Sequence, residues 1–468
     1  MKVTFWGAAG QVTGSMHLIT LDNGYQILLD CGMNYEQKRE LNERAFSFPF
    51  NPVEIDLVIL THAHIDHSGN IPTLAQEGYK GHIICTPATA DLAAHLLFDS
   101  ANIQLDEYKS KLGRASKTKR HLVPKPIYTD KSVAKAMEQM LTLPFNKKLQ
   151  VNEDTSIELI EAGHLLGAAS VVIETKKDGK PVRIGFTGDL GRSHAELIRT
   201  PSPMNNLDYL ITETTYGGRN HTSSERAEND LLQYIDETIR IKGRLIIPAF
   251  SVGRTQSIVH VLNKLNKKGL LPPVKVFVDS PLAVKSTHTY EKYPELLNNE
   301  AAAFLKEHGN LFDFEELYWI KDYDDHEKLM GYTDSCIIIS AAGMVEGGRI
   351  QEHVKNNIQN PFSTILIAGF CAEGTLGHRL LLGQQEISIK GRDYRVYSKI
   401  CRTDVFSSHP DKDEIYNYII ACNQPQLKKV FLVHGDMPNL LAMKESLEKS
   451  EIKAEIEIPE YGDSYSLL

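Results

Sequence analysis

The sequence predicts an α/β protein of two domains, built on parallel strands covered by helices, and three observations carry that prediction. At 468 residues the chain is too long for one ordinary core. A short β-branched run, a polar or glycine turn and a helical pattern recur along it. Strands alternating with helices favour a parallel, helix-covered sheet. Finally, Asp30, His62, His64, His164, Asp189 and Glu213 each stand where such a strand ends. Ligands of open α/β sheets gather there.

In chain order the strand candidates are YQILLDCG, IDLVILTHAH, SIELIEAGH, VRIGFTGDLG and LDYLITETTYG. Then come RLIIPAFSVGRTQS, VKVFVDSPLA, SCIIISAAGMVEGG and STILIAGFCAEGTLG, with helical patterns between them. No solenoid-length repeat, low-complexity tract or long Pro- or Ser-rich linker interrupts the pattern.

Composition narrows the functional class. At 42% hydrophobic and 24% charged residues the chain reads as a soluble globular protein. Its longest apolar runs are far short of the roughly 18 residues of a membrane span, so no membrane partner is expected. The N-terminus MKVTFWGAAGQVTGS lacks the pattern of a secretory signal. Six scattered cysteines form no C-x-x-C pair and read as reduced thiols of a cytoplasmic protein. A net charge of −9 argues against indiscriminate coating of nucleic acid. It leaves room for an enzyme gripping a few phosphates, more so with bound divalent metals.

The segment THAHIDHSGN carries the strongest chemical signal: His62, His64, Asp66 and His67 fall within six positions. Clustered imidazoles repel when charged and are costly to bury unpaired. As neutral ligands beside a carboxylate they suit zinc. The motif cannot complete two sites alone, and His164, Asp189, His409 and His434 are the further donors the chain offers. Asp189, with two oxygens, is the natural bridge. Taken singly, His164, His409 and His434 would read as hydrogen-bonded structural histidines.

These residues resemble the metallo-β-lactamase fold, an αββα sandwich with a dinuclear zinc site at one sheet edge. LITETTYGG with Glu213, GFCAEGTLGHRLL with His378 and FSSHPD with His409 resemble the three additional motifs of its β-CASP branch, whose members process RNA or repair DNA. The likeness covers essentially the whole chain. It extends to bacterial and archaeal relatives of the endonuclease subunit of the cleavage-and-polyadenylation machinery. No RNA-binding KH domain is expected before Met1, nor an extension after Leu468.

The resemblance implies two Zn2+ per chain. His62, His64 and His164 would hold one, Asp66, His67 and His409 the other, with Asp189 bridging. Asp30 would orient a ligand histidine from behind, and His434 would stand behind the ligands too. A parallel-sheet β-CASP domain over 216–376 would interrupt the metallo-β-lactamase domain of 1–215 and 377–468. The activity implied is zinc-dependent RNA hydrolysis, endonucleolytic, by a metal-bridging hydroxide, leaving 5′-phosphate and 3′-hydroxyl ends. Asp66, Glu213 and His378 would be catalytic, with His378 as the general acid kept protonated by Glu213. In some members the second motif's histidine falls one position later, where this chain has Arg379, a phosphate clamp or ion-pair partner.

Small-residue turns after the middle strands offer backbone N–H groups for phosphate. Ser251, Arg254, Ser340 and Gly343 are the candidates there, alongside Arg379. GAAGQVTGS lacks the lysine of a P-loop and is rejected as a nucleotide site. The stretch from Glu107 to Pro126 holds seven Lys or Arg against one Glu. It reads either as a solvated surface or as an arm for single-stranded RNA. A homodimer is the common default for such an enzyme. The alternatives are a thioester or lactam hydrolase on the same fold, a DNA-processing or 5′-exonuclease member, and a catalytically dead RNA-binding scaffold. His378 favours RNA over DNA, and the full ligand set argues against a dead site.

Overall fold

The computed structural model describes residues 1–34, 47–221 and 227–467. Two compact units emerge. The first comprises Met1–His194, Thr200–Asn220 and His409–Leu468; the second comprises Ala195–Arg199 and His221–Ser408.

The first unit is built on two seven-stranded sheets. One runs, in spatial order, Ser464–Ser466, Lys2–Phe5, His17–Thr20, Gln26–Leu29, Leu57–Ile59, His82–Cys85 and Met140–Thr142. The other runs Glu455–Glu457, Lys429–Val433, Tyr209–Glu213, Lys180–Phe186, Ala169–Lys177, Thr155–Glu161 and Lys148–Asn152. Alternation along the strands sends Val3, Ile27, Leu29, Ile59, Ile157, Val171, Ile184, Ile211 and Phe431 into one shared core between the sheets. The outward set of the second sheet, Leu210, Val430 and Leu432, is buried against helices Lys412–Cys422 and Met437–Glu448. Leu28, Val58 and Ile83 on the outward side of the first sheet are buried as well. With both outer faces covered, the unit is an αββα sandwich.

Neither sheet is wholly parallel. Gln26–Leu29, Leu57–Ile59 and His82–Cys85 pair in parallel, as do Lys180–Phe186, Tyr209–Glu213 and Lys429–Val433. Thr155–Glu161, Ala169–Lys177 and Lys180–Phe186 are antiparallel neighbours. Only Asp178 and Gly179 separate the last two, and two residues can close a hairpin but not a parallel crossover.

The six-stranded sheet of the second unit is parallel throughout, in the order Leu317–Ile320, Lys275–Asp279, Cys336–Ser340, Arg244–Pro248, Thr364–Ala368, Lys399–Thr403. Its central strands are continuous apolar runs because both faces are buried. This unit reaches Ser408, past the 376 expected from sequence, because Lys399–Thr403 pairs along Thr364–Ala368. Its first residues are Ala195–Arg199 and then His221 onward, where 216 was expected. Among the described residues no helix is long and apolar enough to cross a membrane.

Candidate metal centre

The site lies in the first unit, at the carboxyl ends of its strands. Leu57–Ile59 leads into Thr61, His62 and His64, and the one-turn helix Ile65–Ser68 carries Asp66 and His67. His164 sits in the tight turn after Thr155–Glu161, Asp189 follows Lys180–Phe186, and Glu213 ends its strand. His434 comes one residue after Lys429–Val433, in a left-handed conformation (φ 50°). The register Glu213↔Val433 sets His434 one position beyond Glu213, and Phe186↔Ile211 sets the Asp189 loop beside them.

Two clusters of ligand atoms result. His62 Nε2 and His64 Nδ1 are 3.1 Å apart, and His164 Nε2 is 3.2 Å from the same His64 Nδ1. His67 Nε2 and His434 Nε2 face each other across 3.2 Å, with Asp66 Oδ2 3.7 Å from the latter. Asp189 serves both. Its Oδ2 is 3.5 Å from His62 and 3.7 Å from His164, while its Oδ1 is 3.2 Å from His67 and 3.5 Å from His434.

His62, His67, His164 and His434 are each fixed through the ring's other nitrogen. Thr61 Oγ1 is 3.2 Å from His62 Nδ1, the Leu190 carbonyl 3.3 Å from His164 Nδ1, and Thr215 Oγ1 3.0 Å from His434 Nδ1. His67 Nδ1 lies 2.7 Å from Asp30 Oδ2. Asp30 is fully buried and is itself held by the Thr61 N–H and hydroxyl and by Ser15. This back-bonding orients metal-ligating imidazoles and fixes their tautomers.

The donor set fits two divalent metal ions. Metal–nitrogen bonds of about 2.0–2.1 Å in tetrahedral array put ligand atoms ~3.3 Å apart, close to the spacings above. Three nitrogens converging on one point cannot all be satisfied by hydrogen bonds to one another. Asp189 Oδ1 is buried without a hydrogen-bond partner, an expensive arrangement unless an ion faces it. Burial, reinforced by His67, pushes the pKa of His62 well down, and burial with His409 does the same to His164. Burial takes His64 to about 4 against the opposing pull of Asp66. These three are neutral donors at neutral pH. Burial disfavours the Asp189 carboxylate, but His434, His67 and His62 outweigh it and hold its pKa well below the usual range.

The arrangement departs from the sequence expectation at two residues. His409 was expected beside Asp66 and His67; that place is taken by His434. His409 Nδ1 is instead 3.1 and 3.3 Å from the two oxygens of Glu213. Glu213, expected to serve His378, is fully buried, its Oε1 accepting from the Leu190 N–H at 2.7 Å and its Oε2 from the Thr215 N–H at 3.3 Å. Burial acts against a charged His409, but Glu213 prevails and raises its pKa. Asp189, Glu213 and His409 form a third cluster of potential ligand atoms. Thr61, Thr215 and the Leu190 carbonyl belong to no ligand motif of the sequence, although Thr61 directly precedes H-x-H and Thr215 stands two residues past the strand end at Glu213.

The remaining expected residues belong to the second unit. Ser251 follows Arg244–Pro248, with its hydroxyl 3.2 Å from that of Ser280. Arg254 starts helix Arg254–Lys267, its guanidinium 4.7 Å from the centre of the Phe250 ring. A Cβ on Gly343 would come within 3.2 Å of Arg254 Nη1, so the glycine makes room for that guanidinium. The Ser340 hydroxyl donates to the Asp279 carbonyl at 2.8 Å. His378 and Arg379 share helix Leu376–Leu381, capped by Thr375; the Arg379 Nε is buried without a hydrogen-bond partner.

An αββα sandwich whose strand ends hold two imidazole clusters around one shared carboxylate is the frame of a metallo-hydrolase. Residues 9–233 match the metallo-beta-lactamase superfamily, 255–380 the Beta-Casp domain, and 393–459 the Zn-dependent metallo-hydrolase RNA specificity domain. Ribonuclease TTHA0252 of Thermus thermophilus is 30% identical over 443 residues, 95% of each chain. The RNase J-like protein of Methanocaldococcus jannaschii is 30% identical over 452 residues, again 95% of each. Transcription termination factor FttA of Methanosarcina mazei is 30% identical over 463 residues, 96% of this chain and 69% of the relative. The chain belongs to the β-CASP branch of the metallo-β-lactamase superfamily and is an enzyme of that metallo-hydrolase class.

Proposed function

We propose that the chain is a zinc-dependent endoribonuclease that leaves 5′-phosphate and 3′-hydroxyl ends. His62, His64 and His164 would hold one zinc ion, Asp66, His67 and His434 the other, and Asp189 would serve both. Carrying the reading most is Asp189, whose two oxygens face the two imidazole clusters separately. The RNA-specificity segment and the ribonuclease names of two full-length relatives support the choice of substrate.

Bound zinc supplies a water-derived nucleophile at neutral pH and draws charge from phosphoryl oxygens. The residues do the rest. Asp30, Thr61 and Thr215 hold the ligand rings so that their donor nitrogens converge. His409, its pKa raised by Glu213 against burial, carries a proton that the departing 3′ oxygen needs. With water as nucleophile the ribose 2′-hydroxyl is not consumed, so no cyclic phosphate forms. Ser251, Arg254, Ser340, Gly343, His378 and Arg379 are proposed to contact phosphates of the RNA.

Incubation of labelled single-stranded RNA and DNA with the protein, with and without chelator, tests this. RNA cleavage abolished by chelator and by Asp189→Ala is expected. Chelator-resistant cleavage, or cleavage of DNA alone, would overturn it.

A further inference from the structure

The second unit contains another cluster of metal-ligating atoms. Asp279 ends the strand Lys275–Asp279. The neighbouring strand Leu317–Ile320 pairs with it up to Asp279↔Ile320, and after two intervening residues helix Tyr323–Met330 begins, which carries His326. On the other side Cys336–Ser340 pairs up to Asp279↔Ser340 and leads to helix Ile350–Asn357, which carries His353. Parallel register thus delivers one imidazole from each side to the same carboxylate. His326 Nδ1 and His353 Nε2 each lie 2.6 Å from Asp279 Oδ2. The other oxygen, Oδ1, accepts from Arg349 Nη1 at 2.6 Å.

We propose that Asp279 Oδ2, His326 Nδ1 and His353 Nε2 bind a third divalent ion of the zinc type, apart from the centre in the first unit. All three side chains are at least nine-tenths buried, with exposures of 0, 7 and 2%, and their ligand atoms lie within 4.8 Å of one another. Two imidazole nitrogens and one carboxylate oxygen are a borderline donor set suited to zinc, cobalt or nickel, with further positions left for water. Arg349 does for Asp279 what back-bonding does in other metal sites: it takes the second oxygen and turns the first toward the rings. Binding needs each facing nitrogen unprotonated. A neutral ring meets that by keeping its proton on the other nitrogen, so no proton need be released. The ion would tie the end of one strand to two helices that also meet there through hydrogen bonds to Asp279 and the edge-on contact of the His326 and His353 rings. Without an ion, the same atoms would form two N–H···O bonds to Oδ2.

The test is a count of Zn2+ bound by the full chain, by equilibrium dialysis and elemental analysis, with Co2+ absorption as an independent titration. Wild type should saturate at three equivalents and His326→Gln at two, with His326→Gln still cleaving RNA. In Asp189→Ala, the metal that persists should be removed by adding His326→Gln. Zn2+ should also raise the melting temperature of Asp189→Ala, and adding His326→Gln should remove that rise. Two equivalents in wild type, with no metal and no Zn2+-dependent rise in melting temperature in Asp189→Ala, overturn the proposal, whether or not His326→Gln folds. So does an unchanged count in folded His326→Gln. If wild type instead binds a single ion that His326→Gln removes, this proposal stands and the two-metal reading of the first unit fails.

Discussion

His67 Nε2 and His434 Nε2 stand 3.2 Å apart although 367 residues separate them in the chain. Two ring nitrogens aimed at one point, beside Asp66 and Asp189, are the reason His434 is proposed as a ligand of the second ion. His434→Ala should therefore cost about one of the two metals of the first unit and most activity. His409→Ala should keep both metals and still lose activity. Elemental analysis of the purified variants checks this; a metal lost from His409→Ala but not from His434→Ala would reverse the assignment.

Glu213 touches His409, and that contact makes a kinetic prediction. If His409 protonates the departing 3′ oxygen, removing it should slow cleavage of ordinary RNA by ~10²–10⁴-fold. A substrate with sulfur at the bridging 3′ position leaves without protonation and should be cut by His409→Ala at close to the wild-type rate. Glu213→Gln should behave in the same direction with a smaller loss. Rescue of His378→Ala by the sulfur substrate, without rescue of His409→Ala, would return the acid role to His378.

The basic segment has an unusual support. Helix Pro87–Arg114 has its last buried residue at Ala101, and Lys119, Arg120 and Lys125 beyond it are exposed. A helix that runs three turns past its core contacts, with this charge, suits phosphate contact. Replacing Lys119, Arg120 and Lys125 with Gln should weaken RNA binding and leave the metal count unchanged. At ~0.7 per phosphate contact on single strands, the slope of log K against log salt should become shallower by about 2. An unchanged slope would make the segment plain solvated surface.

His17 predicts acid sensitivity. It is fully buried, edge-on to Phe5 and Phe186 at 5.1 and 5.3 Å, with neither ring nitrogen hydrogen-bonded. Burial, with smaller contributions from His67 and His434, lowers its pKa from 6.5 to about 3. Between those values the unfolded chain binds a proton that the native state does not, so stability falls as pH drops. The slope is ~1.4 kcal/mol per pH unit for this one group. Denaturant titrations of metal-free wild type and His17→Phe across that range should converge toward neutral pH and diverge with this slope below it. Parallel curves would show that His17 is protonated in the native state.

Local pattern carried much of this protein's outline. The H-x-H-x-D-H motif announced a metal site because no cheaper environment accommodates so many imidazoles in one turn. Apolar runs ending at Asp30, His164, Asp189 and Glu213 announced strands whose carboxyl ends gather ligands. The parallel sheet of the second unit was legible because strands buried on both faces become unbroken apolar runs. Partnership was not legible. FSSHPD and FLVHGD each offer one histidine, and nothing local ranks them; strand register sets His434 beside Asp66 and His67 and leaves His409 to Glu213. The second unit's reach to Ser408 depended on a strand pairing, Thr364↔Lys399 onward, that no short window contains. The meeting of Asp279, His326 and His353 likewise came from two strands pairing on either side of a third. Residue type and spacing determine which atoms can act as donors, a property of each side chain. Which donors share a point in space is decided by strand register, because hydrogen-bonded pairing acts between segments the sequence keeps far apart.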